Sequence, residues 1–262
     1  MSEEDAVLLT GVTLDVRGFY DALAPWYHLV YQDWEASVAR QGQALASLLT
    51  SEGRSPSQDV LDAAVGIGTQ ALGLATRGFQ VTGSDISPVA VHRAGDEAAR
   101  VGIQMRRIIA DVRALPVRSA TFDAVIACDN ALPHLLSEDE IYQALQECLR
   151  CLRPGGRCVI SMRDYEAPPP SGTVETKDYG DRVWSGRPCR LSQIWRWHGA
   201  FYDVAFELVT TDSAEEVIAR TPPTTYFAIG TERVAMLMER AGFTRVRRID
   251  GCLFQPVLVG VR

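Results

Sequence analysis

Positive charge is nowhere concentrated in this 262-residue sequence: the formal net charge is −7, and the only short basic run late in the chain is "RVRR" at 245–248. Gripping phosphates takes a concentrated basic face, so no nucleic-acid partner is expected and the run reads as a solvated strand edge. Long apolar runs are missing too. None approaches the roughly 18 residues of a membrane span, and the acidic start "MSEEDAVLLT" lacks the basic opening of a secretory signal. The chain is therefore expected to be cytoplasmic, with no membrane partner. Six cysteines (Cys128, Cys148, Cys151, Cys158, Cys189 and Cys252) form no even framework. Only Cys148 and Cys151 have metal-like spacing. They fall inside the helical run "EIYQALQECLRCLR" without a second Cys or His pair, which makes them small residues on a helix and gives no metal site. Internal repeats and low-complexity tracts are absent. What is present, 47% hydrophobic residues over 262 positions, suffices for one substantial core and an appended subdomain, and leaves a homo-oligomer open.

The period of the apolar residues changes along the chain. Residues 15–50 read as helical. Then "QDVLDAAV" (58–65), "FQVTGSD" (79–85), "IQMRRIIAD" (103–111), "FDAVIACD" (122–129) and "GRCVISM" (156–162) read as short strands, with helices expected at Thr69–Thr76, Pro88–Val101 and Glu138–Leu152. Strands alternating with helices imply right-handed crossovers and a doubly wound, mostly parallel α/β sheet of seven strands. After Met162 the rhythm stops at the breaker "APPPSG" (167–172), and strand-like patches follow without helices. "CRLSQIWRWH" and "AFYDVAFELVTT" are expected to pair antiparallel around His198–Ala200. Trp195 and Trp197 are expected on opposite faces of their strand, as core packing, with at most one of them at a pocket. A helix returns at "TERVAMLMERAGF" (231–243), with Thr231 as its cap and Gly242 as its stop. Two closing strands, "RVRRIDG" and "FQPVLVGVR", are expected to pair at the sheet edge. The domain reading is an N-terminal helical segment (1–50), a core (51–163 and 231–262), and an antiparallel insertion after strand five (164–230).

Ligands of such sheets bind beyond the carboxyl ends of the strands, and those ends form a coherent set. Strand one ends in Asp62, followed by Gly66 and Gly68; the next ends are Asp85, Asp111, and Asp129 with Asn130. An acid about twenty residues beyond a Gly-rich turn suits a ribose diol, since a carboxylate accepts from both hydroxyls. A dinucleotide would suit the turn as well, but the third glycine of G-x-G-x-x-G is replaced by Ala71, which permits a nucleoside without a pyrophosphate.

The motifs "VLDAAVGIGTQ", "VTGSDIS", "IADVRALP", "FDAVIACDNALPHL" and "LRPGGRCVISMR" together resemble the class I methyltransferases that use S-adenosylmethionine and release S-adenosylhomocysteine. The resemblance implies that Asp62, Ala64, Gly66 and Gly68 lie against the methionine part of the cofactor. Asp85 and Ile86 take the ribose, Asp111 and Val112 flank the adenine, and Cys128 backs the sulfonium. Val65 departs from the Cys or Gly common in such turns.

Within that family the sequence is most like glycine and sarcosine N-methyltransferases. "FYDALAPWYHLVYQDWEASVARQ" resembles their opening segment, which implies that Tyr20, Tyr27 and Arg40 close over the cofactor, Arg40 pairing its carboxylate. "CDNALPHL" and "SMRDY" imply that Asn130, His134, Arg163 and Tyr165 face an amino-acid substrate, and "RTPPTTYFAIG" adds Tyr226. His134 reads equally as a proton acceptor or a structural hydrogen-bonding residue, and Arg163 either as a carboxylate receptor or as a partner of Asp164. The expected function is N-methylation of a small amine or amino acid such as glycine or sarcosine. The alternatives are an O- or C-methyltransferase of a secondary metabolite, or a non-catalytic cofactor-binding module. An RNA methyltransferase is disfavoured by the acidic balance and the lack of a basic domain.

Overall fold

The computed structural model describes residues 15–53, 55, 58–165, 167–211 and 216–262, so the acidic start of the chain lies outside the described residues. Five parallel strands, β1 (Asp59–Asp62), β2 (Gln80–Asp85), β3 (Arg106–Ile109), β4 (Phe122–Ala127) and β5 (Leu152–Ser161), build most of one sheet. At its edge the closing hairpin of β11 (Thr244–Ile249) and β12 (Val257–Val261) runs antiparallel, giving the order β11-β12-β5-β4-β1-β2-β3. The order reverses between β1 and β4, which puts a crevice at their carboxyl ends.

Successive strand residues bury opposite faces. Leu61, Val125 and Ile160 pack under α5 (Glu138–Cys151) and α6 (Thr231–Ala241). Val60, Ile126 and Val159 pack under α2 (Trp34–Thr50), α3 (Thr69–Ala75) and α4 (Pro88–Arg100). Cys148 and Cys151 are buried on α5, as their helical spacing implies. Leu45 and Leu49 of α2 are wholly buried in the second layer. Helix α1 (Val16–Leu23) and the short 3-10 turn Tyr27–Val30 lie outside that layer, with Phe19, Leu23 and Leu29 buried in one cluster with Tyr202, Phe206 and Tyr226. Helices α2 and α3 meet at glycines: a Cβ on Gly42 would stand 2.3 Å from the Gly73 carbonyl oxygen.

A second, antiparallel sheet follows β5. It comprises β6 (Val174–Trp184), β7 (Arg187–His198), β8 (Phe201–Thr210), β9 (Val217–Arg220) and β10 (Thr224–Phe227), in the order β10-β8-β7-β6 with β9 beside β8. The β7–β8 hairpin turns after His198, as the pattern predicts. Two expectations need correction. Trp195 and Trp197 share one face, their ring centroids 6.2 Å apart, because a two-residue step returns to the same side of a strand. Thr231 is the first residue of α6 and not its cap, which is Gly230. The carboxylate of Asp164 accepts from the Thr231 N–H (3.2 Å) and hydroxyl (3.1 Å), doing the capping from a distant segment. Gly242 does stop the helix, at φ +109.

Candidate active site

The carboxyl ends of β1 to β4 open onto a cavity of about 440 Å³. Its floor is the turn after β1, where Gly66 and Gly68 take φ of +51° and +94°, backbone that glycine enters without strain. A Cβ on Gly66 would lie 3.9 Å from the Tyr27 ring, in space the cavity keeps open. Asp85 braces the turn: the Gly66 N–H donates to its Oδ2 (2.8 Å) and the Ser87 N–H to its Oδ1 (3.0 Å). Burial raises the Asp85 pKa against the pull of these donors. Asp62 is buried behind the turn. Its Oδ1 accepts from the Ala64 N–H (3.3 Å), its Oδ2 has no partner, and burial pushes its carboxyl up to about 7. At the far end burial works to raise the Asp111 pKa, but hydrogen bonds from Arg113 prevail and hold it below the usual carboxylate range. Val65 is accommodated by its neighbour: a Cβ on Gly83 would come within 2.8 Å of Val65 Cγ2.

Just beyond β4 come two consecutive left-handed residues, Asp129 (φ +59°) and Asn130 (φ +70°), a conformation that costs on the order of 1 kcal/mol or more per non-glycine residue. The surroundings hold it. The Asp129 N–H donates to Ser161 Oγ (2.8 Å), the Asn130 N–H to the Ser161 carbonyl (3.0 Å), and the Arg163 N–H to Asn130 Oδ1 (3.0 Å). Asn130 Nδ2 donates to the Tyr165 hydroxyl (2.9 Å), which is itself hydrogen-bonded to Tyr202.

Beyond Asp129, under the inner face of the antiparallel sheet, lies a smaller cavity of about 60 Å³ that shares Tyr20, Tyr27 and Asp129 with the first. Tyr202 and Tyr226 stack along its wall (5.1 Å, 10°). The Arg163 guanidinium lies 4.2 Å from the Trp195 ring centroid. Among the described residues Arg163 has no ion-pair partner, because Asp164 turns to Arg248. Trp195 Nε1 and Gln255 Oε1 are buried without hydrogen-bond partners. Asp129 accepts from the Tyr31 hydroxyl (3.1 Å). Burial raises the Asp129 pKa, offset in part by that hydrogen bond and by the charges of Arg163 and Lys177. His134 Nε2 is hydrogen-bonded to the Tyr20 hydroxyl (2.8 Å), and burial pushes the imidazole down to about 3, so it is neutral.

Residues 60–156 match the family described as Methyltransferase domain. Residues 60–156 are thus a methyltransferase domain. Over 163 residues it is 31% identical to the glycine/sarcosine N-methyltransferase of Parasynechococcus marenigrum (strain WH8102), covering 62% of this chain and 56% of that one. Over 155 residues it is 30% identical to the demethylmenaquinone methyltransferase of Beutenbergia cavernae, covering 59% and 60%. The chain spans about half the length of the curated relatives it matches. The sugar N-methyltransferase KedS8 from Streptoalloteichus sp ATCC 53650 shares the fold, with a TM-score of 0.73 at 20% identity and 97% of each chain covered.

In this methyltransferase domain the larger cavity gathers Tyr20, Tyr27, Ala64, Gly66 and Asp85 from the expected cofactor set, together with Ile86, Asp111, Val112 and Cys128. Gly68 stands behind it, capping α3 against Ala94. Its chemistry fits S-adenosylmethionine: Asp85 keeps lone pairs free for hydroxyls, the orphan Oδ2 of Asp62 lacks a donor, and Gly66 leaves the floor open. Arg40 is not brought there. On α2 its face, shared with Ser37 and Gln41 by helical spacing, lines a separate cavity beyond Tyr31, and its guanidinium donates to Ser37 Oγ (2.8 Å). Of the expected substrate set, Asn130, Arg163 and Tyr226 line the smaller cavity, His134 lines the larger, and Tyr165 acts through Asn130 from the outer side. Asp129, Tyr31, Tyr202 and Gln255 had no assigned role in the sequence. Asp129 carried a signal, an acid at a strand end; Gln255, in a loop, carried none.

Proposed function

We propose that this protein transfers a methyl group from S-adenosylmethionine to the amine of a small molecule that also carries a carboxylate, an amino acid of the glycine or sarcosine kind. The observation that carries the reading is the smaller cavity's complement of unmet groups. On one side stand donors short of acceptors, Arg163 without an ion pair and the Trp195 indole N–H; on the other stand the unpartnered Gln255 Oε1 and the Asp129 carboxylate, which keeps lone pairs beyond its bonds from the Tyr31 hydroxyl and Gln255 Nε2. An amino acid has one group for each. The similarity to glycine/sarcosine N-methyltransferase supports the same reading.

Bound in the larger cavity, S-adenosylmethionine supplies an electrophilic methyl group on a sulfonium. The protein's task is then to hold the acceptor in line and exclude water. Asp129 sits where both cavities meet, and its raised pKa suits a group that receives an ammonium and takes up the proton the amine must shed. His134 is neutral and fixed by Tyr20, which makes it a positioning residue across the ordinary pH range. Helix α1 and the 27–30 turn, which bring Tyr20 and Tyr27 over the junction, serve as the cover that keeps water out.

The similarity to demethylmenaquinone methyltransferase keeps one rival, an apolar carbon acceptor that would have no use for Arg163. Methyl transfer to glycine and to methylamine separates them. The wild type should prefer glycine by at least about tenfold, and Arg163→Ala should lose about 2–5 kcal/mol in kcat/KM for the amino acid. Equal use of methylamine, or a preference for a neutral phenol, contradicts the reading.

A further inference from the structure

Toward α2 the smaller cavity shares Asp129, Arg163, Tyr179 and Gln255 with a third space of about 520 Å³, far larger than the 60 Å³ beneath the aromatic wall. Three cations from three separate elements line it: Arg40 on α2, Arg163 after β5 and Lys177 on β6. Among the described residues none of the three is in an ion pair, whereas Arg113, Arg150, Arg153, Arg190, Arg233 and Arg248 each are. Lys177 is the chain's only lysine. It stands opposite Gln193 in the β6–β7 register, on the sheet face that covers the acceptor, and its ammonium lies 4.7 Å from the Tyr179 ring centroid and 5.7 Å from that of Phe254. Partial burial and the nearby Arg163 charge lower the Lys177 pKa, and the Asp129 carboxylate offsets them only in part. Among the described residues a single carboxylate, Asp129, lines the same cavity. Phe254, 87% exposed on the β11–β12 loop, overhangs the rim.

Like charges gathered around a concavity focus the field on its interior, and guanidinium and ammonium groups bind oxyanions through strong charge-assisted hydrogen bonds. We propose that this third cavity binds a second anionic group, a phosphate or a further carboxylate, borne by the acceptor itself. The acceptor is then an amine with an anionic far end that free glycine lacks. The inference rests on the reading above for the amine end, and adds the substrate's other end.

Calorimetry on the protein saturated with S-adenosylhomocysteine tests the site without turnover, using inorganic pyrophosphate and malonate as probes for the two oxyanion sources. At least one should bind saturably. Its affinity should fall by about tenfold or more in Lys177→Gln and in Arg40→Gln, and hold in Arg118→Gln, an exposed arginine outside this cavity. Absence of binding, indifference to the two substitutions, or binding only without S-adenosylhomocysteine would each overturn the inference; the last would hand the cations to the cofactor's own carboxylate. A kinetic arm compares glycine with aspartate and O-phosphoethanolamine. A dianionic acceptor should exceed glycine in kcat/KM by about tenfold, a ratio that collapses toward one in Lys177→Gln; no such preference contradicts the inference even where the probes bind. Probe binding without methylation of any amine refutes the proposed function and leaves the anion site standing, and glycine turnover without probe binding does the reverse.

Discussion

The two sides of the cleft are built in opposite ways. On the cofactor side the polar groups that shape the wall are mostly satisfied within the protein: Asp85 by the N–H groups of Gly66 and Ser87, Asp111 by Arg113. The parts come from turns and strand ends of the parallel sheet. On the acceptor side the groups are left short of partners, Arg163, the Trp195 N–H and Gln255 Oε1 among them, and they converge from β5, β7 and the β11–β12 loop. A wall satisfied by its own backbone presents a fixed shape. One with unmet donors and acceptors waits for a ligand to complete it, and rejects ligands that leave those groups unpaired. Specificity is thus concentrated on the side with the unmet groups.

The sharpest mechanical break in this division runs through α2, which packs on α3 behind the cofactor turn and carries Arg40 on the wall beyond Tyr31. Gly42→Ala ordinarily favours a helix by about 1 kcal/mol. Here the new methyl meets the Gly73 backbone, so a net loss of about 2–3 kcal/mol is expected, seen as a fall in Tm of roughly 4–12 °C. An unchanged or raised Tm would show that the helix contact is slack.

A smaller effect should appear in the pH dependence of stability, and it singles out Asp62, an unmet acceptor on the cofactor side. Asp62 has its folded pKa raised from 3.8 to about 7, so the native state holds the proton longer than the unfolded chain. Its contribution is fully present below about pH 4 and is lost as pH rises through about 7. Without cofactor, Asp62→Asn should therefore gain in Tm relative to wild type between those pH values. A difference that does not change with pH would contradict the burial of that carboxyl.

Much of the cofactor side was legible because its determinants are local. A glycine pair after "VLD" and acids closing successive apolar runs encode turn and strand ends within a few residues of one another. The Thr231 cap was misread because its substitute, Asp164, arrives from 67 positions away. The acceptor side suffers the same difficulty throughout. β6 alternates too weakly to announce itself, being exposed along most of its length, yet it brings Lys177 and Tyr179 to the cavity wall. Tyr202 and Tyr226 meet through the β8–β10 register. Arg163 was picked out by resemblance, but its lack of an ion pair depends on Asp164 preferring Arg248 and Thr231, which no spacing rule contains.

The division of labour between the two sides is tested most directly by calorimetric titration of S-adenosylhomocysteine into wild type, Asp85→Asn and Arg163→Ala. The account predicts that Asp85→Asn weakens binding by about 10- to 100-fold, the loss of charge-assisted hydrogen bonds worth about 1.4–3 kcal/mol, while Arg163→Ala binds within about twofold of wild type. Equal binding by Asp85→Asn, or a loss in Arg163→Ala as large as that in Asp85→Asn, would contradict it.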